Sequence, residues 1–102
     1  MPRLAHCVYF TLQDPTPANI AALEAACHKY LTVQPGIVFF GAGTVVPDLD
    51  RPVNDRDWHI ALHVVFESKK YHDDYQIDPT HKQFIDENKA TWAKVRVFDA
   101  YI

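Results

Sequence analysis

The chain has 102 residues, 48% of them hydrophobic and 23% charged, and a formal net charge of −3. That length fits one domain, residues 1–102, with a single core. The absence of a Lys/Arg patch argues against nucleic acid as a partner, and no apolar run of about 18 residues predicts a membrane span.

The opening "MPRLAHCVYF" lacks the charged start, apolar core and cleavage site of a secretory signal, so a cytoplasmic location is expected. Residues 3–12 read as a strand with His6, Val8, Phe10 and Leu12 on one face and Ala5, Cys7, Tyr9 and Thr11 on the other. Thr16 and Pro17 then supply a cap and a first helical residue. In "ANIAALEAACHKYL", Ile20, Leu23, Cys27, Tyr30 and Leu31 recur at helical spacing, and Pro35-Gly36 marks the break. The two cysteines, Cys7 and Cys27, form no CxxC motif and read as small buried hydrophobes.

"IVFFGAGTVVP" is a second strand, with Gly41 and Gly43 suggesting a bulge or strong curvature. Residues 48–57 form a polar loop. "WHIALHVVFE" is a third strand, with Trp58, Ile60, Leu62, Val64 and Phe66 on one face and His59, Ala61, His63 and Val65 on the other. Ser68 can cap a short helix that carries Tyr71 and Tyr75 on one face. Asp78 caps the next helix, whose apolar side runs through Phe84, Ile85, Asn88 and Trp92. "VRVFDAYI" is the last strand.

This order predicts an α+β fold, a ferredoxin-like βαββαβ protomer with a four-stranded antiparallel sheet and helices on one face. Strands one and three are apolar on both sides, so the uncovered face needs a partner. In so small a chain that partner is expected to be a second copy, making a homodimer through the sheet faces.

Six histidines are the compositional oddity. His81 is the third residue of its helix and lies on the apolar face. A helix N-terminus and partial burial both favour the neutral imidazole, which a general base needs. The same placement equally suits a structural His that plugs the helix end. Tyr75 is either a core aromatic or a phenol aimed at a substrate carbonyl. His6 and His59 lie on neighbouring strands, and spacing leaves open whether both face the helices. His59 and His63 share a strand face but stand about 13 Å apart, too far to chelate one ion. A metal site from His6, His59 and His81 lacks an obvious carboxylate ligand. No nucleophile motif, phosphate loop or dinucleotide fingerprint is present, so neither a cofactor nor a metal is expected.

The segments "RLAHCVYF", "PGIVFFGAGTVV", "WHIALHVVFES", "YHDDYQIDPTHKQFID" and "VRVFDAYI" together resemble the stress-responsive dimeric α/β-barrel (Dabb) family over essentially the whole chain. The most specific piece is Tyr-x-x-x-Pro-x-His, Tyr75 to His81. The resemblance implies two protomers with sheets face to face and helices outside. It is also similar to a plant polyketide cyclase of that family, which closes a poly-β-keto thioester by aldol condensation without a cofactor. That similarity implies catalytic Tyr75 and His81, with His6 and His59 as substrate-binding residues on the helix side. Asp78 stands where the cyclase carries a His. The expected function is thus a cofactor-independent lyase or cyclase acting on a small apolar or carbonyl ligand. The alternatives are a non-catalytic stress-responsive ligand-binding barrel and, third, a cofactor-free monooxygenase of the antibiotic-biosynthesis type.

Overall fold

The computed structural model describes residues 2–32 and 34–102. The elements run β1 (Leu4–Leu12), α1 (Pro17–Leu31), β2 (Ile37–Gly43), β3 (Ile60–Phe66), α2 (Lys69–Ile77), α3 (Pro79–Asn88), a 3-10 turn (Lys89–Thr91) and β4 (Trp92–Tyr101). All pairings are antiparallel, in the order β2-β3-β1-β4. This is the ferredoxin-like βαββαβ arrangement, with the second helical segment divided in two at Asp78.

Period-two alternation decides which face of each central strand is covered. Leu4, His6, Val8, Phe10 and Leu12 of β1 and Ile60, Leu62, Val64 and Phe66 of β3 are all buried. They meet Leu23, Cys27 and Leu31 of α1, Tyr75 of α2 and Phe84 of α3 in one core. Each fully buried aliphatic or aromatic side chain in such a core contributes about 1.5–3 kcal/mol by leaving water. Local signals hold the helix starts in place. Thr16 Oγ1 accepts the Asn19 N–H at 3.1 Å, and Asp78 Oδ1 accepts the Thr80 N–H at 2.8 Å, with Pro17 and Pro79 opening the respective helices.

The other sheet face carries no helix. Cys7, Tyr9, Phe39, His63, Val65 and Phe98 lie on it, with Phe39 and Phe98 each more than half exposed. No described helix is long and apolar enough to cross a membrane.

Several boundaries differ from the sequence expectation. Strand β3 begins at Ile60, because its ladder with β1 ends at the Phe10–Ile60 pair. Trp58 therefore escapes the alternation and turns to the helix-free face, 5.1 Å from the Tyr9 ring centroid, its indole N–H donating to the Asp55 carbonyl at 2.8 Å. Strand β2 stops at Gly43, opposite Ala61, one residue short of the start of β3 at Ile60, so residues 44–47 lie outside the sheet. Its irregularity falls between Ile37 and Phe39, not at Gly41 or Gly43. Ser68 occupies the cap position of α2 without a side-chain cap hydrogen bond. Trp92 is not on the last helix. The helix ends at Asn88, and Trp92 opens β4 after the 3-10 turn, its ring still packed on Phe10 and Phe84.

Candidate functional site

Four elements supply most of the wall of a cavity of about 150 Å³ between the sheet and the helices. His6, Val8 and Phe10 of β1 floor it, with Val95 and Val97 of β4 beside them. Tyr75 of α2, His81 and Phe84 of α3, and Trp92 form the rest of the wall. The lining is predominantly apolar with a few convergent polar groups, the usual composition of a small-molecule site. The helices cover β1 and β3 better than the edge strand β4, where Val95 and Val97 remain 39% and 50% exposed. The mouth of the cavity therefore lies along that edge.

Local sequence fixes the wall. The Asp78-Pro79 break ends α2 and starts α3, so Tyr75 and His81 face each other across the joint with ring centroids 4.5 Å apart. Tyr75 is 1% exposed and His81 8%. His6 stands 6.1 Å from the Tyr75 ring, presented by the covered face of β1.

Tyr75 Oη, His81 Nδ1 and Trp92 Nε1 are buried and have no hydrogen-bond partner among the described residues. Buried polar atoms are paired in the great majority of cases, so three orphans on one cavity wall call for an explanation. Burial, with a smaller contribution from the neighbouring His6 charge, holds His81 below the usual histidine range, while Asp78 and the Gln76 backbone work weakly the other way. Burial, reinforced by nearby Cys27, pushes the Tyr75 phenol upward. At neutral pH the pair is thus a neutral imidazole beside a protonated phenol, an acceptor next to a donor.

His6 is also held low by burial, against the opposing pull of Asp99. Its Nδ1 lies 2.5 Å from Asp99 Oδ1. The two residues are cross-strand partners in the β1–β4 register, so the contact follows from strand pairing.

The structure does not bring His59 to the cavity. Its Nδ1 accepts the Leu12 N–H at 2.9 Å, and its own N–H donates to the Phe10 carbonyl at 2.7 Å. The residue sits before β3 begins and ties the ends of two strands together. The similarity that placed His59 beside His6 on the helix side is corrected on this point: His6 and His59 lie at opposite ends of the β1–β3 pairing. His63 belongs to the helix-free face, 3.4 Å from Tyr9 Oη and 3.9 Å from Cys7 Sγ. Burial and the Asp99 charge raise the Cys7 thiol, so the Cys7–His63 contact holds a thiol rather than a thiolate nucleophile.

Three polar residues near the cavity escape sequence reading. Trp92 passes for a helix-face core aromatic, because its spacing from Phe84 mimics helical periodicity. Asp99 and His72 reach His6 only through strand register and helix placement, with His72 5.0 Å from the His6 ring.

No curated protein sequence matches the chain. Among solved structures, a Dabb protein with a ferredoxin-like fold from Mesorhizobium loti is 19% identical, covering 98% of this chain and 96% of its own, with a TM-score of 0.80. A dimeric ferredoxin-like protein of unknown function from Thermobifida fusca is 16% identical, covering 99% and 92%, also at 0.80. The hydroxynitrile lyase of Passiflora edulis is 20% identical, covering 99% and 94%, at 0.78. At these identities the likeness is one of fold. The profile of the Stress responsive A/B Barrel Domain matches residues 4–102, and with the βαββαβ sheet order and the segment from Tyr75 to His81 in place, the chain belongs to that family, Dabb.

Proposed function

We propose that this protein is a cofactor-independent lyase- or cyclase-type enzyme that removes a proton next to the carbonyl of a small apolar compound. One observation carries the reading: an acceptor, His81 Nδ1, and two donors, Tyr75 Oη and Trp92 Nε1, are buried on the wall of one apolar cavity without partners among the described residues. Carbon acid chemistry asks for this set. A base takes the α-proton, and donors stabilise the oxygen that gains charge. Neutral His81 suits the first task. Tyr75 suits the second, because burial keeps its phenol protonated. A space of about 150 Å³ is of the size that accepts a benzene-like ring, which favours small aryl or alkyl carbonyl compounds. The Passiflora hydroxynitrile lyase has lyase chemistry on the same architecture.

The test is hydrogen–deuterium exchange at the α-carbon of small ketones and β-keto acids in heavy water, followed by NMR. Positioned acid–base groups are worth roughly 10²–10⁴-fold. His81→Ala is expected to lose an enhancement of that order, and Tyr75→Phe a substantial part of it. Exchange equal to buffer in the unaltered protein, with ligands still raising its melting temperature, would instead establish a binding barrel without turnover.

We further propose that two copies pair through the helix-free sheet face. Exposed Phe39 and Phe98 form an apolar surface there, and the Thermobifida protein of the same fold is dimeric. Light scattering is expected to give twice the chain mass and Phe98→Lys the single-chain mass. A single-chain mass for the unaltered protein counts against the pairing.

A further inference from the structure

The side chains of His6, His72 and Asp99 form a cluster, one from each of β1, α2 and β4, and of the three His6 also lines the cavity. Each offers one ligand atom, and these atoms all lie within 4.8 Å of one another. His6 Nδ1 is 2.5 Å from Asp99 Oδ1, and His72 Nε2 is 4.0 Å from the same oxygen. From these residues we infer a binding site for a divalent transition ion of the zinc type, with two imidazoles and one carboxylate as ligands.

The chemistry of the donors selects the ion. Two imidazole nitrogens with one carboxylate oxygen suit zinc and its neighbours, whereas magnesium requires an oxygen shell. Zinc–nitrogen and zinc–oxygen bonds near 2.1 Å place ligands of a tetrahedral site about 3.4 Å apart. The His6–Asp99 pair would have to open by under 1 Å and the His72–Asp99 pair to close by a similar amount. Asp99 has freedom for this, since its side chain is 43% exposed. The same exposure gives the ion a path from solvent.

A second feature orients the cluster. His72 Nδ1 lies 3.1 Å from Asp73 Oδ1, so its proton sits there and Nε2 turns toward Asp99 with its lone pair available. Gln76 Nε2 stands 3.5 Å from His72 Nε2, at the outer limit of a hydrogen bond, and competes only weakly for that lone pair. A carboxylate on the far nitrogen is the arrangement that fixes tautomer and ring direction in metal-binding histidines. This ligand set supplies the carboxylate that a site from His6, His59 and His81 lacks, and it excludes His59 and His81. Three protein ligands leave a further coordination position for water. The inference stands independently of proton abstraction at His81, because binding is measured without substrate.

The experiment uses the full chain without an affinity tag, stripped with EDTA, and titrates it with Zn²⁺ by calorimetry and with Co²⁺ by visible absorption. Saturation at one ion per chain is expected, with cobalt bands of a low-coordinate site and no response to Mg²⁺. His72→Gln and Asp99→Asn should each weaken binding by more than the 10–100-fold expected of Asp73→Asn, which touches only the outer partner. Both His72 and Asp99 lie outside the core, and circular dichroism checks that their variants stay folded. Absence of saturable Zn²⁺ binding, or an affinity unchanged in both His72→Gln and Asp99→Asn, overturns the site.

Discussion

Tyr75→Phe is the most informative single substitution. The ring is 1% exposed, packs 5.1 Å from Phe66 and 4.5 Å from His81, and is retained in the variant, so no cavity forms. Only the hydroxyl is lost. That oxygen is buried without a partner among the described residues, a situation that costs about 1–3 kcal/mol. Its removal relieves the cost, and the expected outcome is a gain near 1 kcal/mol after discounting for relaxation around the cavity. For a domain of this size that corresponds to a melting temperature raised by about 4–8 °C. Urea unfolding followed by circular dichroism measures it, at fixed protein concentration because pairing of copies would couple stability to mass action. The same variant should lose a substantial part of the α-proton exchange, so stability and activity move in opposite directions. A phenol satisfied by the fold would behave differently. A loss of about 1 kcal/mol or more in Tyr75→Phe would mean that its hydroxyl serves structure, and the catalytic reading would lose its donor.

Other expectations follow from the same geometry. Burial lowers the folded-state pKa of His81, so between that value and the unfolded value of 6.5 the unfolded chain binds more protons. Stability should therefore be level above about pH 7 and decline as pH falls through 6.5; His6, also held low by burial, adds to this slope, and His81→Gln reduces it without abolishing it; urea midpoints taken in EDTA buffers from pH 5 to 8 measure it. The carboxylate of Asp78, held low chiefly by the Thr80 N–H, acts in a separate window, its stability lost only below its unfolded value of 3.8. His59→Ala removes the acceptor of the Leu12 N–H and should cost about 1 kcal/mol while leaving α-proton exchange intact; a collapse of exchange in a folded variant would return His59 to the substrate site. Gly36 has φ of +81° and a Cβ there would fall 2.1 Å from the Tyr71 ring. Gly36→Ala should destabilise by at least the 1–2 kcal/mol of the left-handed conformation alone, and an unchanged unfolding midpoint would contradict it.

Periodicity in the chain was enough to specify the layers. Alternation in residues 4–12 and 60–66 makes two central strands, helical spacing in 17–31 and the Asp78-Pro79 start make the covering helices, and their order leaves few topologies beyond the split βαβ sheet. These signals are local, each written within a few residues. Tyr75 and His81 were legible for the same reason, since both flank one break. What the local pattern could not express was where a strand loses its neighbour. Trp58 and His59 continue the alternation in sequence, but the ladder ends at Ile60, and only pairing decides that Trp58 turns to the bare face and His59 to the Leu12 amide. Trp92 keeps helical spacing and is nevertheless the first residue of a strand. Asp99 meets His6 across 93 positions of chain, and His72 joins them from a helix. Such contacts depend on strand register and on how the helix seats over the sheet, which are set by the summed burial of the whole core and not by any residue's near neighbours.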